Sequence, residues 1–339
     1  MLQPTFTLEL NYKIVPGLVT LGKYDGTHPS ITAATSTDKV LIHSPHKKNV
    51  STSGRMIWSE TNREIATLNI NHSITCLATG ILNPKDGKDV LVIGINTHIL
   101  VYNVHDNKDI FYKECQDGAK SLAIGTFNGS ELPLVMVGGN SSVHGFDTSG
   151  REIFWTAFGE VITSLVLMDF TKSGLNELIV ASEDFNIRIF KGNQVLATLV
   201  ETEMVTNLIP LPEHRLAYSV SNGTVGAYEQ EKRLWRIKSK NVANALHPYD
   251  LVGQSKVQLV TGWSHGKIDC RSVETGEVYF KESMNSCVAG IVEGDYRSTG
   301  RADVICVSCE GEVELGVKTE HKRSSSRIFD SKAFKGRIS

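Results

Sequence analysis

Apolar and polar positions along the chain fall into a repeating pattern. A short apolar run, a tight polar turn and a second alternating run recur at residues 31–35 with 40–43, 90–93 with 99–102, 134–137 with 143–146, and 178–181 with 187–190. The same pair returns at 216–220 with 225–228, at 257–260 with 268–271, and at 304–307 with Val313. The first apolar residue of each second run, at 40, 99, 143, 187, 225, 268 and 313, is spaced by 59, 44, 44, 38, 43 and 45 residues. Seven copies thus share a period typical of four-stranded propeller blades. The turns inside the pairs are Thr37-Asp38, Asn96-Thr97, Asn140-Ser141, Glu183-Asp184, Asn222-Gly223, His265-Gly266 and Glu310-Gly311. They supply the small or φ-positive residues that hairpins need.

A further strand precedes each hairpin and ends in an aromatic residue or Leu: Tyr24, Leu82, Phe127, Phe170, Leu211, Tyr249 and Tyr296. This is the place of a blade's innermost strand. A fourth follows at Ile110-Phe111-Tyr112, Ile153-Phe154-Trp155, Val195-Leu196, Leu234-Trp235 and Val278-Tyr279-Phe280. In the first copy the corresponding run is delayed to Ile65, so residues 44–62 read as a loop insertion. The seventh copy has no fourth strand, whereas Phe6-Thr7-Leu8-Glu9-Leu10 alternates apolar and polar and belongs to no blade of its own. The pattern predicts an all-β, seven-bladed β-propeller over residues 1–316, closed by this N-terminal strand and nearly free of helix. A short disordered basic tail is expected at 317–339.

Composition refines this picture. The chain has 339 residues, 40% hydrophobic and 21% charged, which is ordinary for a globular protein. With 35 Lys+Arg against 37 Asp+Glu the net charge is -2, and no nucleic-acid partner is expected. Seven basic residues between 318 and 339 (Lys318, Lys322, Arg323, Arg327, Lys332, Lys335, Arg337) stand against Glu320 and Asp330. No apolar run approaches the ~18 residues that span a bilayer, and the first ten residues lack the makings of a signal peptide. A cytoplasmic address without direct membrane insertion is the expectation. The six cysteines (Cys76, Cys115, Cys270, Cys287, Cys306, Cys309) lie mostly in apolar runs and are expected to remain free thiols without disulfides. Sequons at Asn49, Asn71, Asn128, Asn140 and Asn222 read as turn chemistry.

Candidate chemistry is sparse. The loop Asp169-Phe170-Thr171-Lys172-Ser173-Gly174 has the outline of propeller calcium loops but offers one carboxylate where a hard cation needs several oxygen donors. The equivalent loops at Asp25-Gly26 and at 250–253 are no richer. Residues 262–267, Gly-Trp-Ser-His-Gly-Lys, imitate a phosphate loop, but the spacing is one residue short, Ile268 replaces the hydroxyl, and no helix follows. Cys306 and Cys309 have CxxC spacing without a second pair, which favours packing over metal. His43 and His46 read as residues of a solvated loop, and Tyr102, Trp155, Tyr228 and Trp235 as blade-to-blade core. No catalytic residue, metal ligand or cofactor site is nominated, and partner-binding residues are not identified. An enzyme would need ionisable groups converging on the central channel from several blades. Secreted, calcium-loaded adhesion would need a leader and acidic loops.

Several strings resemble one family closely. They are Tyr24-Asp25-Gly26-Thr27-His28-Pro29, the run Ser182-Glu183-Asp184-Phe185-Asn186-Ile187-Arg188-Ile189-Phe190-Lys191, and Ser221-Asn222-Gly223-Thr224-Val225-Gly226. To these are added Trp235-Arg236-Ile237-Lys238-Ser239-Lys240-Asn241, Thr261-Gly262-Trp263-Ser264 and Val292-Glu293-Gly294-Asp295-Tyr296-Arg297. Together they resemble the Bardet-Biedl syndrome 2 family, core subunits of the BBSome, the ciliary cargo adaptor complex. The resemblance runs to about residue 315 and fades beyond it. It implies a non-catalytic interaction scaffold acting in ciliary membrane-protein trafficking and cilium assembly, with no cofactor. It implies, as partners, other BBSome subunits, foremost the Bardet-Biedl syndrome 7 and 9 proteins, and ciliary membrane-protein cargo. The implied locations are the cytoplasm, cilium, basal body and, peripherally, the ciliary membrane. Family members are about twice as long and continue into a coiled coil and further domains, so a shortened form that does not assemble is the alternative expectation, beside a channel-face enzyme.

Overall fold

The computed structural model describes residues 2–46, 54–251 and 256–318. The tail, expected to begin at 317, lies outside the described residues from 319 onward. The first strand, β1 (Leu2–Glu9), stands apart from the blade that follows it. Blade one comprises β2 (Ile14–Gly22), β3 (Ser30–Thr35), β4 (Lys39–His43), β5 (Met56–Trp58) and β6 (Ile65–Asn69), in the order β2-β3-β4-β6-β5. Blade two holds β7 (Ile74–Ile81), β8 (Asp89–Ile95), β9 (His98–Asn103) and β10 (Lys108–Glu114). Blade three holds β11 (Ser121–Gly125), β12 (Leu134–Gly138), β13 (Ser142–Phe146) and β14 (Glu152–Ala157). Blade four holds β15 (Ile162–Met168), β16 (Glu177–Ser182), β17 (Asn186–Lys191) and β18 (Gln194–Val200). Blade five holds β19 (Val205–Leu211), β20 (Arg215–Val220), β21 (Thr224–Glu229) and β22 (Lys232–Lys238). Blade six holds β23 (Ala243–Tyr249), β24 (Gln258–Trp263), β25 (Lys267–Ser272) and β26 (Val278–Ser283). Blade seven holds β27 (Val288–Gly294), β28 (Asp303–Ser308) and β29 (Glu312–Lys318), and β1 supplies its fourth strand in antiparallel register, Phe6 opposite Leu315 and Leu8 opposite Val313.

The predicted hairpins and the closure by the N-terminal strand are therefore present. The 44–62 segment differs from a plain loop, because Met56 to Trp58 pair with Leu68 to Ala66 and add a short fifth strand to blade one. Asn107 anchors it: the Met56 amide donates to Asn107 Oδ1 at 3.0 Å. The aromatic and Leu residues assigned to inner-strand ends are all buried, but in five blades they sit one or two positions past the strand. Asn49 lies outside the described residues.

The middle strands read as near-continuous apolar runs because both faces of every blade are covered by neighbouring blades. The core accordingly divides into seven clusters of described residues, one at each blade-to-blade interface. One joins Tyr24, Val40 and Ile42 of blade one to Leu91, Ile93 and Tyr102 of blade two. Another closes the circle, joining Leu10, Ile14, Ile31 and Leu41 to Val292, Tyr296, Ile305 and Val307 of blade seven. Where β27 meets β2 the backbones approach so closely that a Cβ on Gly290 would stand 2.3 Å from Val19 Cβ, so this position needs glycine.

Five hairpins share one register: Ala34 faces Val40, Ala181 Ile187, Ser219 Val225, Gly262 Ile268 and Val307 Val313. The left-handed position of that turn is filled by Asp38 (φ 57), Gly223 (φ 85), Gly266 (φ 86) and Gly311 (φ 92). In blade four it is filled by Phe185, at φ 68, and not by the Glu183-Asp184 pair the sequence suggested.

Candidate functional site

The inner strands surround a central channel. Its lining is drawn from the starts of successive blades: Gly17, Thr75, Lys120, Ser121, Thr163, Ser164, Thr206, Asn207 and Asn244. These small polar side chains are largely occupied with the next blade round. Thr75 Oγ1 donates to the Ala119 carbonyl, and Ser121 Oγ accepts from the Leu165 amide at 3.1 Å. Ser164 Oγ accepts from the Leu208 amide at 3.0 Å, and Asn244 Nδ2 donates to the Val288 carbonyl at 2.9 Å. The ionisable groups found among the described lining are Lys120, the thiol of Cys76, and, toward one end, His247 with Glu293, whose Nε2 and Oε2 lie 3.5 Å apart. Burial pushes the Cys76 thiol up to about 12, far from a nucleophile's range. Most of the hydrogen-bonding groups of the channel are already in use, the Thr163 hydroxyl being buried without a partner, and among the described lining no nucleophile is set beside a base.

The loops with a calcium-like outline are closed on themselves. Asp169 accepts the amides of Ser173 at 2.8 Å and Gly174 at 3.0 Å. Asp25 does the same for Thr27 and His28, and residues 252 and 253 of the third such loop lie outside the described residues. Asp295, in the equivalent loop of blade seven, accepts from Thr299 and Gly300, both at 2.7 Å. Each carboxylate serves as a cap on its own turn. Among the described residues no group of three or more His, Cys, Asp or Glu is arranged to hold a metal. Residues 262–267 form the hairpin turn expected of them, with Trp263 buried and its Nε1 donating to Asp269 Oδ2 at 3.1 Å.

Three expectations about individual side chains are corrected. Cys309 does not pack alone but is disulfide-bonded to Cys287, and Cys306, its partner in the CxxC spacing, is buried in the interface between blades six and seven. The prediction of free cysteines thus holds for Cys76, Cys115, Cys270 and Cys306 and fails for this pair, which antiparallel strands bring to a Cα separation of 5.6 Å. His43 is not in a solvated loop: it ends β4, is 2% exposed, and bonds through Nδ1 to the hydroxyl of Tyr296 in blade seven. His46 Nε2 lies 3.2 Å from the Tyr296 carbonyl oxygen, and its ring stacks on His28. Tyr102, Tyr228 and Trp235 are core as expected, whereas Trp155 is 52% exposed on β14.

A second inter-blade lock was not foreseen. Glu201, just after β18, has a fully buried side chain that accepts hydrogen bonds from Tyr228 Oη and, at 2.7 Å, from Arg233 Nη2. A Glu with an Arg 32 positions later carries no local signature, because the contact is set by blade packing.

The outward-facing strands leave apolar side chains in solvent: Tyr112, Ile153, Trp155, Val200 and Tyr279. Such residues suit burial against another protein.

Comparison with known proteins gives the context. The family described as ciliary BBSome complex subunit 2 matches twice, its N-terminal region at residues 20–125 and its middle region at 164–271. The BBSome complex member BBS2 of Danio rerio is 48% identical over 332 residues, which is 98% of this chain and 46% of that protein. The Homo sapiens protein of the same name is 47% identical over 314 residues, covering 92% of this chain and 44% of its own length. BBSome complex member bbs-2 of Caenorhabditis elegans is 32% identical over 260 residues, 77% of this chain and 35% of that one. The chain therefore spans less than half the length of these relatives. Among solved structures, BBS1N in complex with ARL6DN superposes with a TM-score of 0.75 at 12% identity, over 94% of this chain and 98% of that one. The WD40 β-propeller domain of Doa1 gives 0.69 at 12% identity, over 94% and 98%, and both likenesses concern the fold alone. Matched in both its N-terminal and middle regions, the chain belongs to the ciliary BBSome complex subunit 2 family.

Proposed function

We propose that this chain is a non-catalytic scaffold propeller of a BBSome, acting through surface contacts in ciliary membrane-protein trafficking and cilium assembly. The observation that carries this reading is the 48% identity with a BBSome complex member across 98% of the chain. The architecture supports it. Ser121, Ser164 and Asn244 of the channel are spent on blade-to-blade bonds, while the outer strands present aromatic and aliphatic side chains to solvent. The partners under this proposal are other BBSome subunits, foremost the Bardet-Biedl syndrome 7 and 9 proteins, and membrane-protein cargo. Its places are the cytoplasm, the cilium and basal body, and the ciliary membrane peripherally. The folded unit of this scheme is the expected 1–316 extended to Lys318, where β29 ends, with the residues that follow as an appended basic tail.

The test is affinity purification of residues 1–339 from ciliated cells beside a full-length relative. BBSome subunits recovered with both, in comparable stoichiometry, would support an assembly interface on the propeller. Recovery with the full-length relative alone would overturn that part of the proposal and place the interface outside these residues.

A further inference from the structure

We propose that Cys287 and Cys309 are a thiol–disulfide exchange site whose co-substrate is a low-molecular-weight disulfide such as oxidised glutathione, and whose state sets how firmly the ring is latched. Cys287 immediately precedes β27, the inner strand of blade seven, and Cys309 opens the turn between β28 and β29. That turn is where the N-terminal strand hands over to blade one. The Leu10 amide donates to the Gly311 carbonyl at 2.9 Å, and the Ile14 amide donates to the Cys309 carbonyl at 2.9 Å. Leu10 and Ile14 are both buried in the cluster that seals blade seven against blade one, and Cys309 packs on it. The disulfide ties the turn receiving these bonds to the innermost strand of its own blade.

The pair is also chemically singled out. Cys287 and Cys309 are half-buried, whereas Cys76, Cys115, Cys270 and Cys306 are buried. Burial pushes each of those four thiols up to about 12, so they supply almost no thiolate near neutral pH. A mild disulfide reagent then has one reachable target. In the forming direction the thiolate of one cysteine attacks a sulfur of the external disulfide, breaking its S–S bond. The released thiolate takes up the proton that the attacking cysteine gave to solvent. The second cysteine, as thiolate, displaces the remaining external thiol, so two protein thiols are oxidised and one external disulfide is reduced to two thiols.

The experiment equilibrates the full chain in reduced and oxidised glutathione at graded ratios. Thiols are counted by alkylation after denaturation, and amide hydrogen exchange is followed by peptide. The expected result is six alkylated thiols at the reducing end and four at the oxidising end, with the missing two at 287 and 309. On reduction, exchange in residues 2–14 and 312–318 should quicken, on the order of 100-fold for a loop constraint of this size, with β15 to β17 unchanged. Cys309→Ser and Cys309→Val should both make exchange indifferent to the ratio, and the valine, which refills the half-buried site, separates the loss of the bond from a loss of packing. Six thiols at every ratio, four at every ratio, or pairing that leaves exchange at the seam unaltered would each overturn the proposal.

Discussion

Tyr296 in the seventh blade directs its hydroxyl to Nδ1 of His43 in the first, 253 positions earlier, and both side chains are almost completely buried. The bond crosses the interface at which the ring closes. Burial pulls the His43 pKa from 6.5 to about 4, so the native ring is neutral and its Nδ1 accepts from Tyr296. Nε2 then carries the proton and lies 3.3 Å from Glu64 Oε2, while His46 Nε2 meets the Tyr296 backbone carbonyl and its ring stacks on His28.

Between pH about 6.5 and about 4 the unfolded chain binds a proton at His43 that the folded chain refuses. Stability due to this residue is therefore complete above that window and falls as pH drops through it, by up to about 3 kcal/mol at 1.4 kcal/mol per unit. Replacing His43 with Gln should flatten the acid limb of stability, measured by urea denaturation across the window. An unchanged slope would mean that another group sets it.

Closure by β1 predicts that deleting residues 1–10 strips blade seven of its outer strand and exposes Val313 and its neighbours. The melting temperature should fall on the order of 10 °C. Removal of 319–339, which follow the last of the described residues paired with β1, should leave both the melting temperature and the β-sheet circular dichroism as they were.

Phe185 occupies a left-handed turn position that three sister hairpins give to glycine. Bulky residues pay about 1–3 kcal/mol in such a conformation. Here the turn is held by Asp184, which accepts from Ser182 Oγ, from the Asn186 amide and from Arg188. Against desolvation, those hydrogen bonds keep the Asp184 carboxyl well below its ordinary pKa. Phe185→Gly should stabilise the domain by about 1 kcal/mol in equilibrium denaturation, after the greater chain entropy of glycine is subtracted. Destabilisation would instead show that the ring of Phe185, though 40% exposed, contributes more by packing than its backbone costs.

Glu201 and Arg233 make the sharpest case of coupled burial. Arg233→Met leaves the carboxylate of Glu201 without its cation inside the protein, and a loss of about 3 kcal/mol is expected. The double variant Arg233→Met, Glu201→Gln should recover a large part of it. A double variant no better than the single one would assign the cost to lost packing of the guanidinium over Tyr228, 5.3 Å from its ring centroid.

Repetition made much of this fold legible. Two middle strands per blade, covered on both faces, write unbroken apolar runs, and their turns carry Asn, Asp or Gly at fixed offsets. Outer strands are covered on one side only, so Trp155 on β14 gave the same local signal as buried Trp235 on β22. The strand at Met56 to Trp58 is three residues long, too short to show alternation. The environments of His43 and of Cys309 depend on which residues face them, Tyr296 across a seam and Cys287 on another strand, and neither pairing leaves a trace in local spacing.

The pairing of Leu8 with Val313 also imposes an order in time. While the chain is being made, β1 emerges first and has no strand to join until β29 has followed it out. At about 5–20 residues per second that interval is roughly 15–60 s. Through it, the first blade has no seventh blade to cover the face formed by Ile31 and Leu41, so that apolar face stays open to other contacts on the nascent chain.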